Sequence, residues 1–396
     1  MSQIKYFNDN VSVENKRVIL RLDLNVPMLD GFVKDTTRID LSLPLINLLL
    51  KKKAKIIIIS HLGRPKKDQK NDLSLLPVFN YLKEKIDTKF FFYTSEINKN
   101  TLKEISFLKE KEILFLENIR YQRGEIENDK VFAKNLASLG EIFINEAFSC
   151  SHRKQSSVHK ITEFISEKYA GPLFKKEIEA INVIIKDNKK PITCIIGGSK
   201  VSSKIGVISS LIKKVDNIAI VGAMANNFLM FKGFKVGKSL IEKDAHLIVK
   251  KIYNLSKDNN CKIVIPEDCS VSQTMNGRSS IKDANQISTE DIILDIGPKS
   301  IKKILNLIDN SKTVLWNGPA GYFENENFAL GTNSIANKIS SNTINNSLLS
   351  IVGGGDTVSA IKNINFSLNF THLSTAGGAF LEFLEGKNLP GIEVLK

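Results

Sequence analysis

With 396 residues, the chain is longer than one hydrophobic core readily serves, so two domains of roughly 200 residues are expected. A hydrophobic content of 42% and a charged content of 25% exclude a disordered chain. The net charge of +14 would suit a nucleic-acid binder, but no lysine cluster is interleaved with aromatics, so lysines spread over solvated helix faces are the preferred reading.

Strand-like and helix-like segments alternate along the chain. In the first half the β-rich apolar runs are Val18–Leu24, Ile56–Ser60, Phe90–Tyr93, Ile113–Leu116 and Ile142–Asn145. In the second half they are Ile192–Ile196, Ile218–Val221, Ile263–Ile265, Ile292–Asp295, Val314–Trp316 and Leu348–Val352. Leu41–Lys53 and Val201–Val215 carry helical spacing. Leu41–Leu50, the longest apolar run, is broken by Ser42, Pro44 and Asn47 and is too short to span a bilayer. Such alternation predicts an α/β protein with parallel sheets covered on both faces. A boundary is expected near Ala170-Gly171-Pro172, where glycine breaks one element and proline suits the first turn of a helix through Leu173–Ile185. The N-terminus lacks an apolar secretory segment, and Cys150, Cys194, Cys261 and Cys269 form no Cys-x-x-Cys pair. Free thiols in a cytoplasmic protein are expected.

The basic residues are unevenly typed. Of 48 lysines and eight arginines, seven arginines (Arg17, Arg21, Arg38, Arg64, Arg120, Arg123 and Arg153) precede residue 154. A guanidinium fork matches phosphate and carboxylate bidentately, so an oxyanion site is expected in the first half. Ligands of open parallel sheets bind beyond the carboxyl ends of the strands. There the first half offers Arg21-Leu22-Asp23-Leu24-Asn25, then Arg38, then Ser60-His61-Leu62-Gly63-Arg64-Pro65. Glu117-Asn118-Ile119-Arg120 and Asn145-Glu146-Ala147-Phe148 follow, with His152 and Arg153 close behind. Alternation puts Arg21, Asp23 and Asn25 on one face, which fits either a pocket or an edge strand with a solvated face.

The second half offers glycine-rich loops instead. Gly197-Gly198-Ser199-Lys200-Val201-Ser202-Ser203-Lys204 follows a strand and opens a helix, as a phosphate cradle does, although a C-cap glycine pair beside solvated lysines is the alternative. Helical spacing would put Lys200 and Lys204 on one face. Gly353-Gly354-Gly355-Asp356-Thr357 repeats the design, with Asp356 either an N-cap or a magnesium ligand. Ser374-Thr375-Ala376-Gly377-Gly378-Ala379 is a third helix start built from small residues. Gly233–Ser239 has three residues between its glycines where a Walker A loop needs four, and is rejected. Protein-kinase, metalloprotease and nucleophile-elbow patterns are absent. A nicotinamide-linked dehydrogenase is disfavoured because no Gly-x-Gly-x-x-Gly turn stands in a fitting context. Cys150 reads as a bystander, with no adjacent histidine–carboxylate arrangement evident.

In order, Arg21–Pro27, Ser60–Pro65, Glu117–Arg120, Glu146–Arg153, Gly197–Lys204, Trp316–Glu324, Gly353–Thr357 and Ser374–Ala379 resemble the motifs of the phosphoglycerate kinase family. The resemblance implies two Rossmann-like three-layer αβα lobes with parallel sheets, joined by a hinge helix. A phosphoglycerate-binding lobe would span 1–170, with the tail 386–396 packing on it, and a nucleotide-binding lobe 171–385. It implies reversible in-line transfer, after hinge closure, of a phosphoryl group from 1,3-bisphosphoglycerate to Mg-ADP, giving 3-phosphoglycerate and ATP. By motif matching, Asp23, Leu24, Asn25, Arg38, His61, Leu62, Gly63, Arg64, Arg120 and Arg153 would meet the phosphoglycerate, with Arg38 facing the transferred group. Lys200, Lys204, Asn317, Glu324, Gly353, Gly354, Gly355, Asp356 and Thr357 would meet the nucleotide, and Asp356 would bind Mg2+. Arg38, Lys204, Gly377 and Gly378 would act on the migrating phosphoryl. Small-molecule partners, neither nucleic acid nor membrane, and a monomer are implied. The chain departs from the family pattern at Glu146 (commonly Asp), Ser149-Cys150-Ser151, Pro172, Ser203 and Ala376.

Overall fold

The computed structural model describes residues 3–65, 73–184, 189–345, 347–364 and 367–396. Two compact units divide the chain: Met1–Ile178 with Asn388–Lys396, and Glu179–Lys387.

The sheet of the first unit has six parallel strands, β1 (Arg17–Arg21), β2 (Lys55–Ile59), β3 (Phe90–Tyr93), β4 (Ile113–Leu116), β5 (Ile142–Asn145) and β6 (Glu167–Ala170). Their order across the sheet is β3-β4-β2-β1-β5-β6. Ile56–Ile59 are fully buried, as a strand covered on both faces requires. The helix Thr37–Lys51 turns Ile39, Leu45, Ile46 and Leu49 inward, and each such burial contributes roughly 1.5–3 kcal/mol. The C-terminal residues join this unit: the Gly391 N–H donates to the Ser151 carbonyl at 2.8 Å, and the Lys5 N–H to that of Leu395.

The second unit contains β7 (Ile192–Ile196), β8 (Asn217–Ile220), β9 (Lys262–Val264), β10 (Asp268–Ser272), β11 (Ser280–Asp283), β12 (Ile292–Ile296), β13 (Thr313–Asn317), β14 (Leu349–Gly353) and β15 (His372–Ser374). The parallel sheet runs β9-β8-β7-β13-β14-β15, the doubly wound order whose switch point lies between β7 and β13. Trp316 is fully buried on β13, and its indole N–H donates to the Gly318 carbonyl at 2.8 Å.

Two parallel-sheet domains were expected and are present, but several local expectations are corrected. β1 ends at Arg21 and lies between β2 and β5, with Arg21 fully buried, so the solvated edge strand is ruled out. Ile292–Asp295 belongs not to a parallel sheet but to a three-stranded antiparallel one, ordered β11-β10-β12. The helix read from Val201 begins at Ile205, so Lys200 and Lys204 precede it and helical spacing does not relate them. At the helix Gly355–Lys362 the N-cap is Gly354, not Asp356. The helix expected over Leu173–Ile185 is described as Pro172–Asn182, and Ile185 lies outside the described residues.

Candidate active site

In the first unit, the loops after β1, β2, β4 and β5 bring the polar residues together. Asp23 is the hub after β1: its Oδ2 pairs with Arg38 Nη1 at 2.9 Å and accepts from Ser149 Oγ at 2.5 Å. Arg38 also donates to the Asn25 carbonyl, and Asn25 Oδ1 accepts from the Gly63 N–H at 2.8 Å. Arg120 Nη1 donates to the Gly63 carbonyl at 2.6 Å. Loop after loop is therefore tied to its neighbour. Asn118 does most of the joining, accepting from the Leu62 and Arg120 amides and donating to the Leu62 and Leu73 carbonyls. Leu24 and Leu62 turn their side chains into the core, whereas Arg64 is exposed on the same loop as His61. Arg153 Nε donates to His152 Nε2 at 3.0 Å.

His61 is the electrostatic centre of this half-site. Its proton affinity falls well below the ordinary histidine range, first through burial and then through the charges of Arg21, Arg120, Arg153 and Arg38. The positive charge that Arg21, Arg120, Arg153 and Arg38 place around one buried imidazole suits an anion with several oxygens. Cys150, read as a bystander for want of an adjacent histidine–carboxylate pair, does have a histidine neighbour: its sulfur lies 3.9 Å from His61 Nδ1 and 3.7 Å from Arg21 Nη2.

In the second unit the predicted residues straddle the switch point. Lys204, beyond β7, donates to Asn317 Oδ1 at the end of β13, and Asn317 Nδ2 donates to the Gly353 carbonyl at 2.7 Å. Thr357 Oγ1 accepts from the Gly318 N–H at 2.7 Å. Burial lowers the Lys204 ammonium affinity for its proton, while the Asp356 carboxylate opposes that shift. Glycine is required where these loops meet. A Cβ on Gly197 would stand 2.3 Å from the Pro319 carbonyl oxygen, and Gly354 adopts φ +106° with Asn317 Nδ2 2.7 Å from where its Cβ would be. Gly377 has φ +54° and caps the helix Gly378–Leu384. Lys200 is exposed in the loop after β7.

Beside this lattice lies a cavity of about 490 Å³, lined by Gly198, Leu294, Pro319, Tyr322, Glu324 and Asp356 among others. Its size suits a nucleoside. Asp295 forms part of the wall, accepting from the Ile296 and Gly331 amides, and burial pushes its carboxyl up to about 7. Sequence reasoning missed Asp295, Asn118, Ser149 and Ser60, whose hydroxyl accepts from the Leu24 N–H and donates to the Leu22 carbonyl, both at 2.9 Å. Ser60 and Asn118 were visible as polar residues directly after strands, but Asp295 sits inside a strand and Ser149 faces Asp23 from 126 positions away.

The phosphoglycerate kinase family profile matches residues 8–387. The chain belongs to the phosphoglycerate kinase family. It is 43% identical to the phosphoglycerate kinase of Wolbachia sp. subsp. Drosophila simulans over 98% of both chains. It is 42% identical to that of Dictyoglomus turgidum, covering 97% of this chain and 96% of the relative. A solved phosphoglycerate kinase from Coxiella burnetii superposes with a TM-score of 0.87 at 35% identity, covering 98% of this chain and 97% of its own. Phosphoglycerate kinases catalyse glycolytic phosphoryl transfer, and this activity is the function of the chain.

Proposed function

We propose that the arginine-lined half-site of the first unit binds 3-phosphoglycerate or 1,3-bisphosphoglycerate, and that the lattice and cavity of the second unit bind ADP or ATP. The observation that carries this reading is a buried His61 in contact with Arg21 Nη2 at 3.3 Å, on a loop that Asn25 and Arg120 tie to its neighbours through Gly63, and under the charges of Arg120, Arg153 and Arg38. Asp23, Leu24, Asn25, His61, Leu62, Gly63, Arg64, Arg120 and Arg153 hold the phosphoglycerate through side chains and backbone, and Arg38 faces the migrating group. Lys200, Lys204, Asn317 and the segment Gly353–Thr357 serve the nucleotide phosphates, with Glu324 at the ribose. Gly377 and Gly378 offer backbone N–H groups to the phosphoryl in transit.

Phosphoryl transfer through a loose transition state asks for alignment and positive charge rather than a covalent nucleophile. Arg38 and Lys204 supply that charge. Among the described residues no group of three or more histidine, cysteine or acidic side chains could hold a metal ion. Magnesium fits nonetheless, because it is commonly bound by one or two carboxylates together with substrate phosphates, and Asp356 is an exposed carboxylate in the first turn of its helix. Bound there, Mg2+ would neutralise phosphate charge during transfer. The same reading makes the protein a cytoplasmic monomer that acts on small molecules, not on nucleic acid or membrane. Its four unpaired thiols suit a reducing compartment.

The test is a coupled assay of 1,3-bisphosphoglycerate formation from 3-phosphoglycerate and Mg-ATP. The wild type turns over, Arg64→Ala raises the KM for 3-phosphoglycerate alone, and Asp356→Asn raises the Mg2+ concentration needed. Equal effects of Arg64→Ala on both substrates would reject the assignment of the half-sites.

A further inference from the structure

Beneath the arginine pocket lies a buried chain of polar side chains that substrate contact does not explain. Glu125 is fully buried, its Oε1 accepting from Ser157 Oγ and its Oε2 from the Ser157 N–H, both at 2.7 Å. Ser157, also fully buried, accepts from Arg21 Nε at 2.9 Å. Arg21 Nη1 is committed to the Leu22 carbonyl, and Nη2 points at His61 Nδ1, 3.3 Å away.

Hydrogen-bond chemistry favours one direction along this chain. A guanidinium only donates, so the nitrogen facing Arg21 Nη2 must offer a lone pair. A serine hydroxyl has one hydrogen, which goes to Glu125 and leaves its lone pairs for Arg21 Nε. Each donation therefore runs outward from Arg21, one arm ending on the Glu125 carboxylate and the other on His61 Nδ1. With Nδ1 an acceptor, the single ring hydrogen of His61 resides on Nε2.

We propose that His61 works in the phosphoglycerate pocket as a neutral imidazole donating Nε2–H to the bound anion, and that Glu125 and Ser157 are positioning residues that fix this tautomer through Arg21. The proposal rests on the placement of His61 in that pocket, as argued above. Burial and the charges of Arg21, Arg120, Arg153 and Arg38 all disfavour the imidazolium. Cys150 Sγ, which accepts from Arg21 Nη2 at 3.7 Å, lies 3.9 Å from Nδ1, and its S–H can donate there. Glu125 is the counter-charge of the array: burial raises its proton affinity, while Arg21 and its bonds to Ser157 oppose that rise. Without the carboxylate, the Ser157 hydroxyl loses the acceptor that orients it towards Arg21 Nε, the aim of Nη2 at His61 is loosened, and either ring nitrogen could carry the hydrogen.

The experiment is nitrogen-15 NMR of the histidine rings in the full-length enzyme, with the His61 signals identified by their loss in His61→Gln. The wild type is expected to show a pyrrole-like Nε2 and a pyridine-like Nδ1. Ser157→Ala and Glu125→Gln are expected to move both signals toward a tautomer mixture and to raise the KM for 3-phosphoglycerate roughly fivefold or more, leaving the nucleotide KM unchanged. Ser157→Thr, which keeps the hydroxyl, should restore both. A wild-type ring protonated on Nδ1, or rings unchanged in whichever variants fold, would overturn the proposal. A failure of the pocket assignment looks different: Nε2–H is retained, but the ring is indifferent to added 3-phosphoglycerate, which overturns the donor role while leaving the relay intact.

Discussion

Arg38 shows how one side chain is held ready by others. Its Nη1 is shared between the Asp23 carboxylate and the Asn25 carbonyl, so the guanidinium is fixed by the loop after β1 even though it stands at the start of a helix. On the proposed role of its charge at the phosphoryl group in transit, Arg38→Ala should lower kcat on the order of 100-fold while changing the nucleotide KM little, as steady-state kinetics would show. Glu146 is a contrasting case. Its Oε2 accepts from the Phe174 N–H at 3.0 Å, and burial pushes its carboxyl up to about 7. The folded state then holds a proton that the unfolded state releases between about 4.5 and about 7, so stability falls as pH rises through that window. Relative to Glu146→Gln, the wild type should lose on the order of 3 kcal/mol in urea melts between pH 4.5 and pH 8. The arginines of the pocket were legible in the sequence because their residue type was so unevenly used. Glu125 and Ser157 were not, because an acid in a short helical turn and a serine in a turn carry no signal until the fold brings them to Arg21.

Elements were legible where burial wrote them. β4, β5 and β7 coincide with their apolar runs because each is covered by packing and needs no polar face; β3 coincides with its run too, although it is an edge strand and only Phe90 is buried. β10 (Asp-Cys-Ser-Val-Ser), β11 (Ser-Ile-Lys-Asp) and β15 (His-Leu-Ser) went unseen, since short polar strands are specified by their partners more than by their own residues. β6, with an exposed glutamate at its start and an edge position, is a similar case. The ends of β7 and β13 illustrate the opposite regime, in which backbone meets backbone. Gly197→Ala would drive a methyl into the Pro319 carbonyl, and the loops must part to admit it. Its expected signature is a nucleotide KM raised at least tenfold with the 3-phosphoglycerate KM preserved, measured by varying each substrate in turn.

On the scale of the molecule, the chain is not divided where a single cut would put it. It enters the second unit within the helix Pro172–Asn182 and returns at Asn388 to complete the first. The returning segment supports the pocket indirectly: a Cβ on Gly391 would stand 2.8 Å from Ser151 Cα, so this backbone packs flush against the loop that carries Arg153. Truncation after Lys387 should therefore raise the KM for 3-phosphoglycerate several-fold with little change in that for the nucleotide, although the deleted residues include none of the proposed substrate contacts.

Trp316 is the only tryptophan in the sequence, and it is sealed one residue before Asn317 with its indole committed to Gly318. The fluorescence of this protein therefore has a single address. Emission excited at the red edge of the absorption band originates wholly in the second unit, at the junction of β13 with the glycine loops. The first unit, with its tyrosines and no tryptophan, is dark in that channel. Comparing this emission with far-ultraviolet circular dichroism, which sees both units, would separate the melting of one from the melting of the other without any label.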